Sequence, residues 1–353
     1  MNFTSAIEVP SYAFSLIKIG FLKQLIMDDT TLQKLEEITE IKQFIEYISV
    51  FYPGLTFKSY TIEDIEKALF HTYIKLIGKI LYISPKTMRI FLRNYLLKYE
   101  IMNIKHIILG TILGISTDEK NSMVNMLVEK YLNNANFMTE LIEITSLETI
   151  QLFMKPTLYN KVIREGILYF KKTNEIFVLE AFLDQLYYEN LKKEMRLLTQ
   201  KEKTMISSYI NYVSEIYNLN VIYRGIKNNI DKNLLLQFLV KTYLFMNEKK
   251  LKDLVFSNDV DEFIVVFKKF LTNIKELKSS LSHSSLDEEH FIWSVEKIYL
   301  DYYFKMLETK KVDIEYQAIF KILEILIKKD KEIRLFILPK LVKIVHEKYK
   351  LLK

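Results

Sequence analysis

The chain has 353 residues, half of them apolar and 13% aromatic, with a formal net charge of +6; such a chain buries a sizeable core rather than staying disordered. Only seven glycines and five prolines occur, and cysteine is absent. That composition disfavours turn-rich β folds, excludes disulfides and thiol catalysis, and fits a reducing compartment.

The amino-terminal stretch MNFTSAIEVPSYAF lacks a basic n-region and carries Glu8 and Pro10 where an apolar core would be needed, so it does not read as a signal peptide. Helices are expected over Tyr12 to Met27 and over Thr31 to Phe51, the second opened by Thr30-Thr31 and closed by Pro53-Gly54. Thr61 with Asp64 then caps a helix in which Ile65, Leu69, Tyr73 and Ile77 recur every fourth residue, one apolar stripe with Glu66 beside it. The same stripe returns as Leu179, Leu183, Tyr187 and Leu191 with Glu180, and as Val295, Tyr299, Tyr303 and Leu307 with Glu296. The glutamates stand 114 and 116 residues apart, so three copies of one helical unit fill the chain.

The segment after each stripe repeats too. Ser84-Pro85, Thr199 and Asp313 each supply a residue type that starts a helix, and Thr199 with Glu202 forms a capping box. The helix so started carries Glu100-Ile-Met-Asn103-Ile104 in the first copy and Glu215-Ile-Tyr-Asn218-Leu219 in the second. Each is followed by an isoleucine (Ile107, Ile222) and then a glycine (Gly110, Gly225). The third copy keeps Glu332 but has Leu335 for the asparagine and Pro339 for the isoleucine.

Between these helices the lead-ins also correspond. Glu37-Ile-Thr39 recurs as Glu143-Ile-Thr145, and Val255-Phe-Ser257 takes the same place in the third copy. Gly110 and Gly114 mark a helix end, Thr117-Asp118 a restart, Asn174 the start of the second stripe helix, and Asp231 the cap of a helix over Leu234 to Phe245. Ser279 to His290, serine-rich and without periodicity, reads as an exposed loop. No strand alternation of useful length occurs. The expected fold is all-α, with repeats at 1–116, 117–230 and 231–353.

Chemistry-bearing constellations are scarce. Neither G-x-G-x-x-G nor G-x-x-x-x-G-K-[ST] occurs, so nucleotide binding has no motif. His283 and His290 flank Asp287, Glu288 and Glu289, but zinc sites want cysteine or closely spaced histidines, so no metal and no cofactor is expected. Glu66, Glu180 and Glu296 would each need a partner at hydrogen-bond reach to act as acid or base. Their triplicate occurrence favours a structural role, as buried or helix-capping carboxylates. Tyr73, Tyr187 and Tyr303 beside leucines read as core. Lysines between Lys328 and Lys353 form the solvated side of a last helix whose Leu341, Ile344 and Val345 face inward. The alternative is a helical-repeat scaffold that binds nucleic acid or protein through that basic face. The longest nearly apolar run, Ile107 to Ser116, is about half of what spans a bilayer, and the chain reads as soluble.

Several of these stretches carry a family resemblance: Glu180-Ala-Phe-Leu-Asp184-Gln-Leu-Tyr187-Tyr188, Glu100 to Ile104, Glu215 to Leu219, and Tyr12 followed by Thr39 to Tyr52. In order and spacing the chain resembles the C subunit of the V-type (A-type) rotary ATPases, the counterpart of the d subunit of the vacuolar enzyme. It departs at Leu16-Ile-Lys18-Ile19, where a second basic residue is more usual, and at the missing asparagine of the third copy. The resemblance implies a funnel of three helical bundles that catalyses nothing. Its broad end would sit on the membrane proteolipid ring, and its socket would receive the central shaft. It further implies a cytoplasmic protein, peripheral on the inner face of the cell membrane, that carries torque between ion flow and ATP turnover without binding nucleic acid.

Overall fold

The computed structural model describes residues 11–277, 286, 288, 290–310 and 313–350, the last four of these through the backbone. Every regular element among them is helical. The helices are α1 Ala13–Leu22, α2 Asp29–Glu37, α3 Ile41–Ser49, α4 Ile62–Ile83, α5 Lys86–Leu113, α6 Thr117–Met123, α7 Met126–Leu132, α8 Ala135–Glu143 and α9 Leu147–Phe153. They continue as α10 Asn160–Thr173, α11 Ile176–Glu194, α12 Gln200–Lys227, α13 Lys232–Phe238, α14 Glu248–Val255, α15 Val260–Thr272, α16 Phe291–Glu308, α17 Ile314–Lys331 and α18 Leu338–Lys350. A π-helical segment, Glu332–Ile337, joins the last two.

All three stripes are buried, each residue at 4% exposure or less. They lie on α4, α11 and α16. The helices after α4 and α11 are both 28 residues long. Truncating Tyr187 to alanine in the middle of the second stripe is expected to cost about 3 kcal/mol, read by urea denaturation.

The chain forms two compact units, one of residues 1–92 with 310–353 and the other of residues 93–309, and their boundary falls within α5. In the first unit α1 packs on α17 and α4, and α18 packs on α3 and α4. The carboxy-terminal helices therefore complete the core begun by the amino-terminal ones. The Tyr73 hydroxyl donates to the Leu326 carbonyl at 2.7 Å. In the second unit α10 pairs with α11, and α12 packs against α13, α14, α15 and α16.

Local chemistry explains where elements start and stop. The capping box of Thr199 and Glu202 forms as expected, Asp313 accepts from the Tyr316 amide at 3.0 Å, and Asp231 from the Leu234 amide at 2.9 Å. Other boundaries differ from expectation. The first helix gives way to a 3₁₀ turn at Lys23–Leu25. The expected single helix over Thr31 to Phe51 is two, α2 capped by Asp28 and α3 entered through an extended link at Ile38 to Glu40. Asp28 outcompetes Thr30 and Thr31 because its carboxylate accepts both their hydroxyls and the Thr31 amide. Ser116, not Thr117, caps α6, in a box with Glu119. Asn174 ends α10 in the left-handed region at φ 57°, and Glu175 caps α11. The helix after Asp231 stops at Phe238, leaving 239–247 non-helical.

The two motif glycines do the same job. Ile115 and Ile230 donate their amides to the carbonyls of Gly110 and Gly225, closing both long helices through left-handed residues, Gly114 at φ 68° and Asn229 at φ 53°. A Cβ on Gly225 would lie 2.2 Å from Leu235 Cδ2. Gly225→Ala should therefore destabilise by about 1–3 kcal/mol through overpacking, a loss that Leu235→Ala in the same chain should partly offset.

Candidate functional site

The chain's organised polar chemistry lies inside the core, on the long helices beyond the stripes. Glu215 of α12 accepts three successive backbone amides, from Leu244 at 2.5 Å, Phe245 at 2.9 Å and Met246 at 3.0 Å, and the Tyr299 hydroxyl at 2.8 Å. These amides are free because 239–247 is not helical, so the carboxylate fills a nest of N–H groups. Glu100 of α5 accepts the Tyr159 hydroxyl at 2.9 Å and the Asn134 side-chain amide at 3.0 Å. Glu332 accepts the Met27 amide at 2.8 Å and the Tyr52 hydroxyl at 3.3 Å, and pairs with Lys329 at 2.6 Å.

The three arrangements are one device. Asn134 is the N-cap of α8, while Met27 and Met246 immediately precede the N-caps of α2 and α14. Each glutamate thus grips the point where the next lead-in turns into helix, and each also takes a buried tyrosine. The third glutamate grips the first lead-in. Asn103 and Asn218 add a second matched contact. Asn103 takes the Asn125 amide at 2.9 Å and gives to the Asn125 carbonyl at 3.3 Å. Asn218 does the same to Val240, at 2.8 and 2.9 Å. Asn125 and Val240 are 115 residues apart, the same separation as the two asparagines.

Burial raises the pKa of Glu100, Glu215 and Glu332, and the donors just named pull it back. Burial likewise lowers Lys329, against the pull of Glu332. Its ammonium stands 3.7 Å from the centroid of the Tyr52 ring. Burial and then the neighbouring Glu100 charge raise Glu129 to about 8.

The stripe glutamates are placed otherwise than expected. Glu66, Glu180 and Glu296 are half-buried and lie one turn or more inside α4, α11 and α16, where none caps a helix. The side chain of Glu180 reaches Arg224 at 3.3 Å. Position explains the difference: each sits at the edge of its apolar stripe, not within it. Tyr187 and Tyr303 are core residues, the latter stacked on Tyr212 with centroids 4.8 Å apart. Of the acidic loop, His283, Asp287 and Glu289 lie outside the described residues, and Glu288 pairs with Lys227 at 3.1 Å. Among the described residues no group of three or more histidines or carboxylates is placed to hold a metal.

Tyr52, Tyr159, Glu129 and Lys329 escape the sequence patterns. A signal for the two tyrosines does exist: Tyr52 stands after Met27, and Tyr159 after Asn134, by the same 25 residues. In chemical terms these carboxylates serve as joints. Their oxygens are taken up by amides, phenols and one ammonium, which fixes helix against helix.

Residues 18–337 match the model of the family described as ATP synthase (C/AC39) subunit. The chain belongs to this family. It is 25% identical to the C subunit of the A-type ATP synthase of Methanocaldococcus jannaschii over 268 residues, 72% of this chain and 64% of that protein. It is 24% identical to that of Pyrococcus furiosus over 223 residues, covering 62% and 58%, and 23% identical to that of Methanobrevibacter smithii over 265 residues, covering 73% and 66%. The matches span less than two thirds of these relatives' own length. All three joint glutamates of this C/AC39 chain fall inside the family match. Among its described residues no helix is long and apolar enough to cross a membrane.

Proposed function

We propose that the chain is a non-catalytic central-stalk subunit of a V-type ion-translocating ATPase or ATP synthase. In this reading it seats the central shaft on the membrane proteolipid ring and transmits torque between ion flow and ATP turnover. The observation that carries it is the family match over residues 18–337. The three helical repeats, 1–116, 117–230 and 231–353, would form a funnel whose partners are the ring and the shaft, peripheral on the inner face of the cell membrane. The joints support this reading physically. A part that transmits torque must resist bending, and a close-packed helical interior pinned by three buried carboxylates is stiff. Glu66, Tyr73, Glu100, Asn103, Glu180, Tyr187, Glu215, Asn218, Glu296, Tyr303 and Glu332 are then structural residues.

Removing the chain from the native complex tests the proposal. The soluble head should keep hydrolysing ATP, while ATP-driven ion uptake into vesicles should vanish and return when the chain is added back. Loss of hydrolysis from the isolated head would assign the chain a catalytic part. Undiminished uptake would mean that it is no part of the rotor.

A further inference from the structure

Glu129 is the one element of the joint around Glu100 that the other joints lack. It lies on α7, fully buried, and its Oε1 accepts the Asn103 amide at 2.7 Å. Its Oε2 is equally buried and has no hydrogen-bond partner. Asn134 ties Glu129 to Glu100, giving its side-chain amide to Glu100 at 3.0 Å and its backbone amide to the Glu129 carbonyl at 2.8 Å, and the Glu100 charge acts on Glu129. The facing groups from the other elements are Asn103 on α5, neutral, and Tyr159 at the start of α10, whose hydroxyl is committed to Glu100. On α7 itself the neighbouring Lys130 is exposed.

The counterpart of Glu129 in the next repeat, 115 residues on, is Leu244. There the backbone is non-helical and the Leu244 amide donates to Glu215 at 2.5 Å. Around Glu100 the same stretch is the helix α7, and the residue in the position of Leu244 carries a second carboxyl. Two carboxylates sharing a buried site cannot both ionise cheaply, whereas a carboxylic acid can donate to its neighbour. We propose that Glu129 and Glu100 form a proton-binding site in which Glu129, as the neutral acid, supplies the donor that the Leu244 amide supplies to Glu215. When the pH rises, the proton leaves to solvent, both carboxylates are charged, and the hold of α5 on α7 and α8 loosens.

The linkage has a definite sign. A carboxyl raised from 4.5 to about 8 on folding contributes stability that is complete below pH 4.5 and is lost as the pH rises toward 8. Glu100, also raised, acts in the same direction. The direct test is a ¹³C-NMR titration of the Glu129 carboxyl in the full wild-type chain. A midpoint near 8 is expected, falling by at least about one unit in Glu100→Gln, where the like charge is gone. A midpoint below about 6, within the ordinary carboxyl range, overturns the proposal. A second measurement tracks amide exchange in residues 126–143 between pH 6 and 9, after correction for intrinsic rates. Exchange should accelerate more in the wild type than in Glu129→Gln, and equal pH dependence in the two overturns the proposal. So does a rise of stability at pH 8 with sodium chloride but not with an equal strength of choline chloride, which would place a metal cation where we place the proton.

Discussion

Lys329→Met should cost about 3–5 kcal/mol, because it strands the Glu332 charge in the core. The two side chains are 1% and 3% exposed and 2.6 Å apart, so neither has water to fall back on. The ammonium also stands over the Tyr52 ring, and the ring's hydroxyl reaches the same carboxylate. Adding Glu332→Gln to the variant removes the stranded charge and keeps an oxygen for the Met27 amide and the Tyr52 hydroxyl. The double variant should therefore be more stable than Lys329→Met alone by at least about 1 kcal/mol, the size of coupling seen between contacting residues. Urea midpoints of the three variants and the wild type form the cycle. Additive losses would show that the pair is not coupled and that packing, not charge, explains the cost.

Glu215→Ala is expected to cost about 4 kcal/mol or more, since each buried donor left without a partner costs about 1–3 kcal/mol. Four donors converge on this carboxylate, three of them backbone amides of consecutive residues. Those amides have no alternative helical acceptors, because the segment that carries them is not helical. Glu215→Gln keeps one acceptor oxygen and should lie between alanine and wild type. Calorimetry of the three proteins ranks them, and amide exchange at 244–246 locates the loss. Alanine and wild type of equal stability would mean that the segment finds other partners.

What the sequence disclosed and what it hid divide along physical lines. The stripes were legible because burial imposes a period, and Ile65 to Ile77, Leu179 to Leu191 and Val295 to Leu307 obey it without exception. Caps were legible where one side chain served, as at Thr199 and Asp313, and misplaced where neighbours competed, as at Asp28 against Thr30 and Thr31. The link at Ile38 to Glu40 was hidden because α2 and α3 bury residues on either side of it, so the apolar spacing runs on across the break. Glu100, Glu215 and Glu332 were visible as motif members, but their partners lie far away in the chain, 305 residues in the case of Met27 and Glu332. Lys329 reads as one of many lysines near the carboxy terminus. Only three-dimensional packing turns it inward.

Pro339 illustrates how a lost residue type is accommodated. It stands where the other copies have isoleucine, and it cannot donate to the carbonyl four residues earlier. The helix answers with the π-helical turn Glu332–Ile337 just before it, which carries Glu332 at its first position. The proline thus leaves the third joint in place.

The grip of Glu332 on Met27 and Tyr52 has a consequence for synthesis. Residues 11–83 leave the ribosome long before α17 and α18, which complete their core. The unit of 93–309 is whole in sequence while the amino-terminal helices still wait with apolar faces uncovered. Such nascent segments are exposed to aggregation and chaperone capture until α17 and α18 arrive. A stop codon near residue 310 would therefore injure residues 11–92 more than the unit of 93–309.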